Sequence, residues 1–173
     1  LYASDYRAVE RTFQLVAQVS GRAGRGKKKG DVVIQTYSPD NFAIVHAAEH
    51  DYELFYQEEI RMREMMLYPP FAYFSRWVFL SEDEQAAKYD AEKAFANMRE
   101  YLEKNYETAQ SVISMDAAPT QYVRIKGQYR YQLLIRYYMD ENGKKALKYF
   151  TELDKAAVPL THMILEIDPL NMI

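Results

Sequence analysis

Gln121-Tyr122-Val123-Arg124-Ile125-Lys126-Gly127-Gln128-Tyr129-Arg130-Tyr131-Gln132-Leu133-Leu134-Ile135-Arg136-Tyr137-Tyr138 holds two runs of β-favouring residues parted by Gly127-Gln128. A two-residue connection that begins with glycine fits a tight hairpin of the II′ type, so residues 121–126 and 129–138 are expected to pair antiparallel. Period-two alternation puts Arg130, Gln132, Leu134 and Arg136 on one face and Tyr129, Tyr131, Leu133, Ile135 and Tyr137 on the other, with Arg124 and Lys126 joining the first set across the hairpin. Before the hairpin, 110–115 and 71–80 read as strands, and Ser81-Glu82-Asp83-Glu84 reads as a capping box opening a helix. That helix carries one apolar stripe of Ala87, Ala91, Ala94, Phe95, Met98, Tyr101 and Leu102. After the hairpin, a helix over 141–156 turns Ala146, Leu147, Phe150 and Leu153 inward, and 161–167 is a last strand. The order β-α-β-β-β-α-β over 71–173 predicts an α+β two-layer sandwich with both helices on one face of the sheet.

The first part of the chain reads differently. Val9, Phe13, Val16 and Ala17 recur at helical spacing, so 7–20 predict a helix that Gly21 ends. An arginine-bearing loop follows, then a buried strand over 31–37 around Val32, Val33 and Ile34. Ser38-Pro39 predicts an N-cap and first-turn proline, and helical sequence runs on to Met66, where Tyr68-Pro69-Pro70 stops it. This organisation predicts a boundary between 45 and 70: one segment over 1–45, a helical connector over 46–70 and a domain over 71–173.

The 173 residues are 49% apolar, enough for a core, with no cysteine to form a disulfide or thiolate zinc site. No stretch is long and apolar enough to span a membrane and no leader opens the chain, so the default expectation is cytoplasmic. It starts at Leu1, which suggests a piece of something longer. The net charge of −3 is unevenly spread. From Ala117 to Met139, Arg124, Lys126, Arg130 and Arg136 occur with no acid and five interleaved tyrosines, whereas 82–107 hold eight acids against four bases.

Gln18-Val19-Ser20-Gly21-Arg22-Ala23-Gly24-Arg25-Gly26 is the second informative stretch. Glycines bring backbone close to a ligand, and two guanidinium forks match phosphate oxygens, though such a loop can equally be a basic surface turn. Its spelling Q-x-x-G-R-A-G-R resembles the last motif of superfamily 2 helicases. Taken with Glu10-Arg11-Thr12-Phe13-Gln14-Leu15, Gly30-Asp31-Val32-Val33-Ile34-Gln35-Thr36-Tyr37, Tyr68-Pro69-Pro70-Phe71, Tyr129-Arg130-Tyr131-Gln132-Leu133-Leu134-Ile135 and Ile167-Asp168-Pro169, essentially the whole chain resembles the C-terminal part of the PriA family of replication-restart helicases.

That resemblance implies that 1–45 end the second helicase lobe, and that the parent is an ATP-driven 3′ to 5′ DNA helicase that recognises stalled forks and D-loops and directs primosome assembly. It implies ATP and magnesium in the parent, and zinc bound upstream of this chain. By position, Gln18 would couple nucleotide to lobe movement, Arg22 would contact the γ-phosphate and Arg25 would be the arginine finger, with Gly21 also at the nucleotide. No phosphate-binding G-x-x-x-x-G-K-[ST] loop and no magnesium-binding acid pair occur here, so the chain alone is expected to be inactive and free of cofactor. Arg124, Lys126, Tyr129, Arg130, Tyr131 and Arg136 are the DNA-binding candidates, arginines for phosphates and tyrosines for unpaired bases; the plain alternative is a solvated sheet face. Two readings remain: binding of branched or single-stranded DNA, or a docking platform for primosome and helicase-loading proteins or the rest of the helicase chain. Met62, Met65 and Met66 could serve such docking or ordinary packing. His46-Ala47-Ala48-Glu49-His50 matches a zinc-peptidase spelling, but a solvated helix face explains it better, and no metal is expected. Apolar residues of the first helix and of 32–34 lack their cover, which predicts self-association of the fragment, by exchange of its N-terminal segment, or disorder before about residue 40.

Overall fold

The computed structural model describes residues 5–23, 31–153 and 158–169. They divide into two compact units, Leu1–Tyr68 and Pro69–Ile173.

In the first unit, helix α1 (Ala8–Ala23) packs against α2 (Phe42–Glu49) and α3 (Tyr52–Met65). Phe13, Ala43, Ala47 and Phe55 form its small core, with the rings of Phe13 and Phe55 stacked 4.1 Å apart. Three expectations need correcting. The first helix does not end at Gly21 but continues through Arg22, because nothing within 4 Å of Gly21 or in its backbone forces a break. Residues 31–37 form no strand: no other strand among the described residues of this unit offers its backbone a partner, and Val33 is 93% exposed. The cap of α2 is Asn41, whose side chain accepts from the Ala43 amide, rather than Ser38. The long helical stretch is split where His50, at φ 56°, closes α2, and Asp51 caps α3 by accepting from the Leu54 amide.

The second unit is α+β, with a four-stranded antiparallel sheet of order β2-β3-β1-β4. Its elements are β1 (Tyr73–Ser81), α4 (Glu84–Lys104), the short α5 (Tyr106–Ala109), β2 (Val112–Ile125), β3 (Gln128–Tyr137), α6 (Glu141–Thr151) and β4 (His162–Ile167). One face of the sheet supplies Phe79, Leu133, Ile135 and Tyr137 to a core shared with Ala91, Ala94 and Met98 of α4 and Ala146 and Phe150 of α6. The small side chains of α4 let it lie close to the larger residues of the sheet, and Trp77 donates its indole N–H to the Phe150 carbonyl at 2.7 Å.

Two of the expected extended pieces, 110–115 and 121–126, are one strand, so the element order has four strands rather than five. Pro119 lies within this strand without breaking it, because β2 is at the sheet edge, where a residue without an N–H is tolerated. The cap of α4 is Asp83, which accepts from the Gln85 amide and receives no capping box from Ser81; Ser81 instead accepts from the Asp83 amide. The hairpin loop is Lys126-Gly127, one residue earlier than expected: Ile125 pairs with Gln128, and φ is 49° at Lys126 and 84° at Gly127. Positive φ at both central residues marks type I′, not II′. The last long helix ends at Thr151 rather than running through 156, of which 154–156 lie outside the described residues.

Candidate nucleic-acid interface

The arginine motif is described only up to its first half. Gln18, Gly21 and Arg22 lie on α1, exposed, while Gly24, Arg25 and Gly26 lie outside the described residues. Gln18 and Arg22 are four apart and so share a helix face. A cation in the last turn is also favoured by the carbonyl end of the helix dipole, which gives Arg22 a local reason to be there. Gln18 reaches the rim of a groove of about 520 Å³ between α1 and α3, lined by Phe13, Tyr52, Phe55, Tyr56 and Ile60. At that rim Arg63 donates to Glu59 at 2.8 Å and to Glu10 at 2.9 Å, tying α3 to α1.

His46 and His50 do not form a ligand pair. His46 is buried and its Nε2 lies 3.1 Å from a Glu58 carboxylate oxygen, whereas His50 is the left-handed closing residue of α2. Among the described residues no group of three His, Cys, Asp or Glu side chains is placed to hold a metal ion.

The hairpin candidates are divided by the register. Directly opposed residues of antiparallel strands share a face, and Arg124 opposes Tyr129, so Arg124 lies with the tyrosines and not with Arg130 and Arg136 as expected. Its guanidinium sits over the Tyr129 ring, 4.9 Å from the centroid. Lys126 occupies the turn itself. Tyr131 is committed elsewhere: its ring packs on the core and its hydroxyl donates to Glu84 at the start of α4 at 3.1 Å. Burial pushes its phenol above the ordinary value, and the neighbouring Glu84 carboxylate pushes it further. Its ring and its hydroxyl are therefore both engaged within the unit. Arg130 and Arg136 lie on the face away from the helices, where Arg136 covers Phe74 with its guanidinium 4.7 Å from the ring centroid.

That same face holds a residue the sequence reading missed. Arg76, in the middle of β1, is 8% exposed. It donates through Nε to Glu166 of β4 at 2.7 Å, through Nη2 to the same oxygen, and through Nη1 to Gln132 at 3.2 Å. A charged residue inside the aromatic run Tyr73-Phe74-Ser75-Arg76-Trp77 was the available signal, since a buried arginine demands a carboxylate partner. Asp90 was likewise missed: fully buried on α4, its carboxylate accepts from the Leu160 amide at 2.8 Å and the Thr161 hydroxyl at 2.9 Å, fixing the approach to β4.

What remains exposed and basic is the far end of the hairpin. Between the pairs Pro119–Tyr131 and Arg124–Tyr129 the register slips, so that Thr120, Gln121, Tyr122 and Val123 stand against Arg130 alone. This bulge carries Tyr122, 65% exposed, and is fixed at its root by the buried Thr120, whose hydroxyl donates to the Tyr122 carbonyl at 3.0 Å.

Comparison with known proteins gives the context. Residues 64–170 match the family described as "Primosomal protein N C-terminal domain". The chain is 38% identical over 168 residues to the Replication restart protein PriA of Bacillus subtilis, covering 97% of this chain and 20% of that protein. It is 40% identical over 136 residues to the PriA of Chlamydia muridarum, covering 79% of this chain and 17% of that protein. To the PriA of Chlamydia pneumoniae it is 34% identical over 171 residues, covering 99% of this chain and 22% of that protein. It thus spans about a fifth of the length of the curated relatives it matches. With an α+β unit over the matched residues, the chain belongs to the PriA replication-restart family and carries its C-terminal domain.

Proposed function

We propose that this chain is the C-terminal part of an ATP-dependent 3′ to 5′ DNA helicase of replication restart, and that its own share of the work is to bind branched or single-stranded DNA in the cytoplasm. The observation that carries the second half is the Arg124–Tyr129 pair at the exposed end of a hairpin, within a stretch from Ala117 to Met139 that has four cations and no acid. An arginine already laid on an aromatic ring loses less freedom when it meets a phosphate. Family membership supports the first half. On this reading 1–45 close the second helicase lobe, 46–70 connect, and 71–173 are the DNA-binding domain. Gln18, Gly21, Arg22 and Arg25 face nucleotide held mostly by the rest of the parent. ATP and magnesium supply the reaction there; Arg22 and Arg25 supply cations to the developing phosphoryl charge, worth about 10³–10⁵ in rate for one well-placed arginine. Partners on this reading are forked or single-stranded DNA and the primosome and helicase-loading proteins.

Two measurements test it. Fluorescence anisotropy of this chain with labelled forked, single-stranded and duplex DNA at two salt concentrations is expected to show binding that weakens steeply with salt. Absence of salt-sensitive binding to any of the three would sink the DNA reading. In the full-length parent, Arg25→Lys is expected to lose nearly all ATP turnover, since an ammonium cannot reproduce the forked contact; turnover within a few-fold of the unaltered protein refutes the role. A protein-docking role has its own support in the apolar α1–α3 groove and in Met65, 72% exposed at the end of α3.

A further inference from the structure

We propose that Tyr122, exposed on the bulge at 120–123, is the base-stacking residue of this chain, with Arg124 and Lys126 holding successive phosphates to one side of the stacked nucleotide. The proposal rests on the reading that the chain binds DNA, and it names both the residue and the class of DNA: an unpaired strand.

Three observations carry it. The first is elimination. Of the tyrosines on β2 and β3, which end before Tyr138, Tyr131 is anchored to Glu84 and packed on the core, Tyr137 is fully buried with its hydroxyl 3.1 Å from that of Ser75, and one Tyr129 ring face is occupied by Arg124. Tyr122 is 65% exposed and lies beyond the last regular pair of the sheet body.

The second is construction. Four residues of β2 opposing one of β3 is more than an edge strand needs to discourage pairing with a neighbour, and bulges re-aim side chains. This bulge has a fixed root, because Thr120 is 7% exposed and bonded to the Tyr122 carbonyl. A platform held by its backbone loses little freedom when a base lands on it.

The third is charge. Arg124 and Lys126 follow Tyr122 at steps of two along the hairpin arm, and no acid occurs between Ala117 and Met139. An aromatic ring beside two cations fits a polyanion whose bases are open to stacking. A duplex offers the phosphates but hides the base faces, so stacking selects the single strand.

The test uses this chain with fluorescein-labelled oligothymidylate and with a duplex of equal length, at two salt concentrations. Tyr122→Ala is expected to weaken oligothymidylate binding by about 5- to 100-fold, with duplex binding within twofold and the thermal midpoint unchanged. Tyr122→Trp retains or tightens it. The double variant Arg124→Ala/Lys126→Ala is expected to weaken both DNAs and to lower the salt slope by about two. Oligothymidylate binding unchanged in Tyr122→Ala, or lost equally for both DNAs, overturns the proposal. If binding survives Tyr122→Ala but disappears in Arg130→Ala/Arg136→Ala, the site lies on the sheet face: this inference fails and the DNA reading stands. If the unaltered chain binds neither DNA, both fail together.

Discussion

Gly143→Ala reverses what helix propensity predicts. Gly143 lies inside α6, where alanine in place of glycine is ordinarily worth about 1 kcal/mol of stabilisation. A Cβ built there falls 1.7 Å from the Tyr138 carbonyl oxygen and 2.9 Å from its carbon. To reach ordinary contact at 3.4 Å the carbonyl must retreat by as much again. That backbone is not free to move, because the Tyr138 amide donates to the Ser111 carbonyl at 2.9 Å. Asp140 in the same turn accepts from the Gly143 amide at 2.7 Å and from the Ser111 hydroxyl at 2.8 Å. Relief of the clash therefore pulls out the cap of α6. Loss of a cap is worth about 1 kcal/mol, and forcing atoms into a packed site about 1–3 kcal/mol. The net expectation is a loss of about 1–3 kcal/mol after the propensity gain. For a unit of about a hundred residues that lowers the thermal midpoint by roughly 5–25 °C, followed by circular dichroism with a urea titration at fixed temperature. Gly21→Ala is the control: it is helical with nothing within 4 Å, so it should hold or gain up to about 1 kcal/mol in the first unit. A Gly143→Ala midpoint equal to or above the unaltered one would refute the packing argument.

Asp90→Ala removes the acceptor for the Leu160 amide and the buried Thr161 hydroxyl; a loss of about 2–4 kcal/mol in urea unfolding is expected, and a loss under about 0.5 kcal/mol would deny the pinning role. Glu166→Ala strands the Arg76 guanidinium with only Gln132, and because the Glu166 side chain is partly exposed the expected loss is moderate, about 1–2 kcal/mol; the double variant Arg76→Met/Glu166→Ala should recover part of it, and no recovery would argue against a stranded charge. The Asp140 carboxyl is held below the ordinary aspartate range, first by the Gly143 amide and then by the Ser111 hydroxyl. A group depressed in the folded state lends stability that is fully present above its unfolded value, about 4, and is lost as pH falls through the lower folded value. Asp140→Asn should therefore flatten the acid limb of the stability–pH curve below about pH 4, and an acid limb identical to that of the unaltered chain would count against it.

Much of the second unit was legible in the sequence because local signals and tertiary contacts agree there. The alanine stripe of α4 and the alternating apolar residues of β3 each bury the side that their period marks, and the glycine of the hairpin sits at a turn. The first unit was less legible: Val32, Val33 and Ile34 spell a strand, yet a strand exists only with a partner, and the described residues of that unit hold none. Of the candidate interface, the basic, acid-free hairpin was visible, but its division was not. That Arg124 sides with Tyr129 and not with Arg130 follows from the antiparallel pairing of the two strands, which the alternation of each strand read alone does not give, and the slip at 120–123 leaves no periodic trace.

The sequence by itself determined the α+β class of the second unit, the helices that cover the sheet, the arginine motif and the basic hairpin, since each is written in composition, short-range spacing or turn chemistry. Only the tertiary structure decided which arginines and tyrosines are spoken for. Arg76 is matched by Glu166, 90 residues away in sequence, Arg136 lies over Phe74 from a neighbouring strand, and Tyr131 is tied to Glu84 across the helix layer. Those pairings depend on sheet order and register, which long-range packing sets, and they leave Tyr122, Arg124 and Lys126 at the exposed end of the arm.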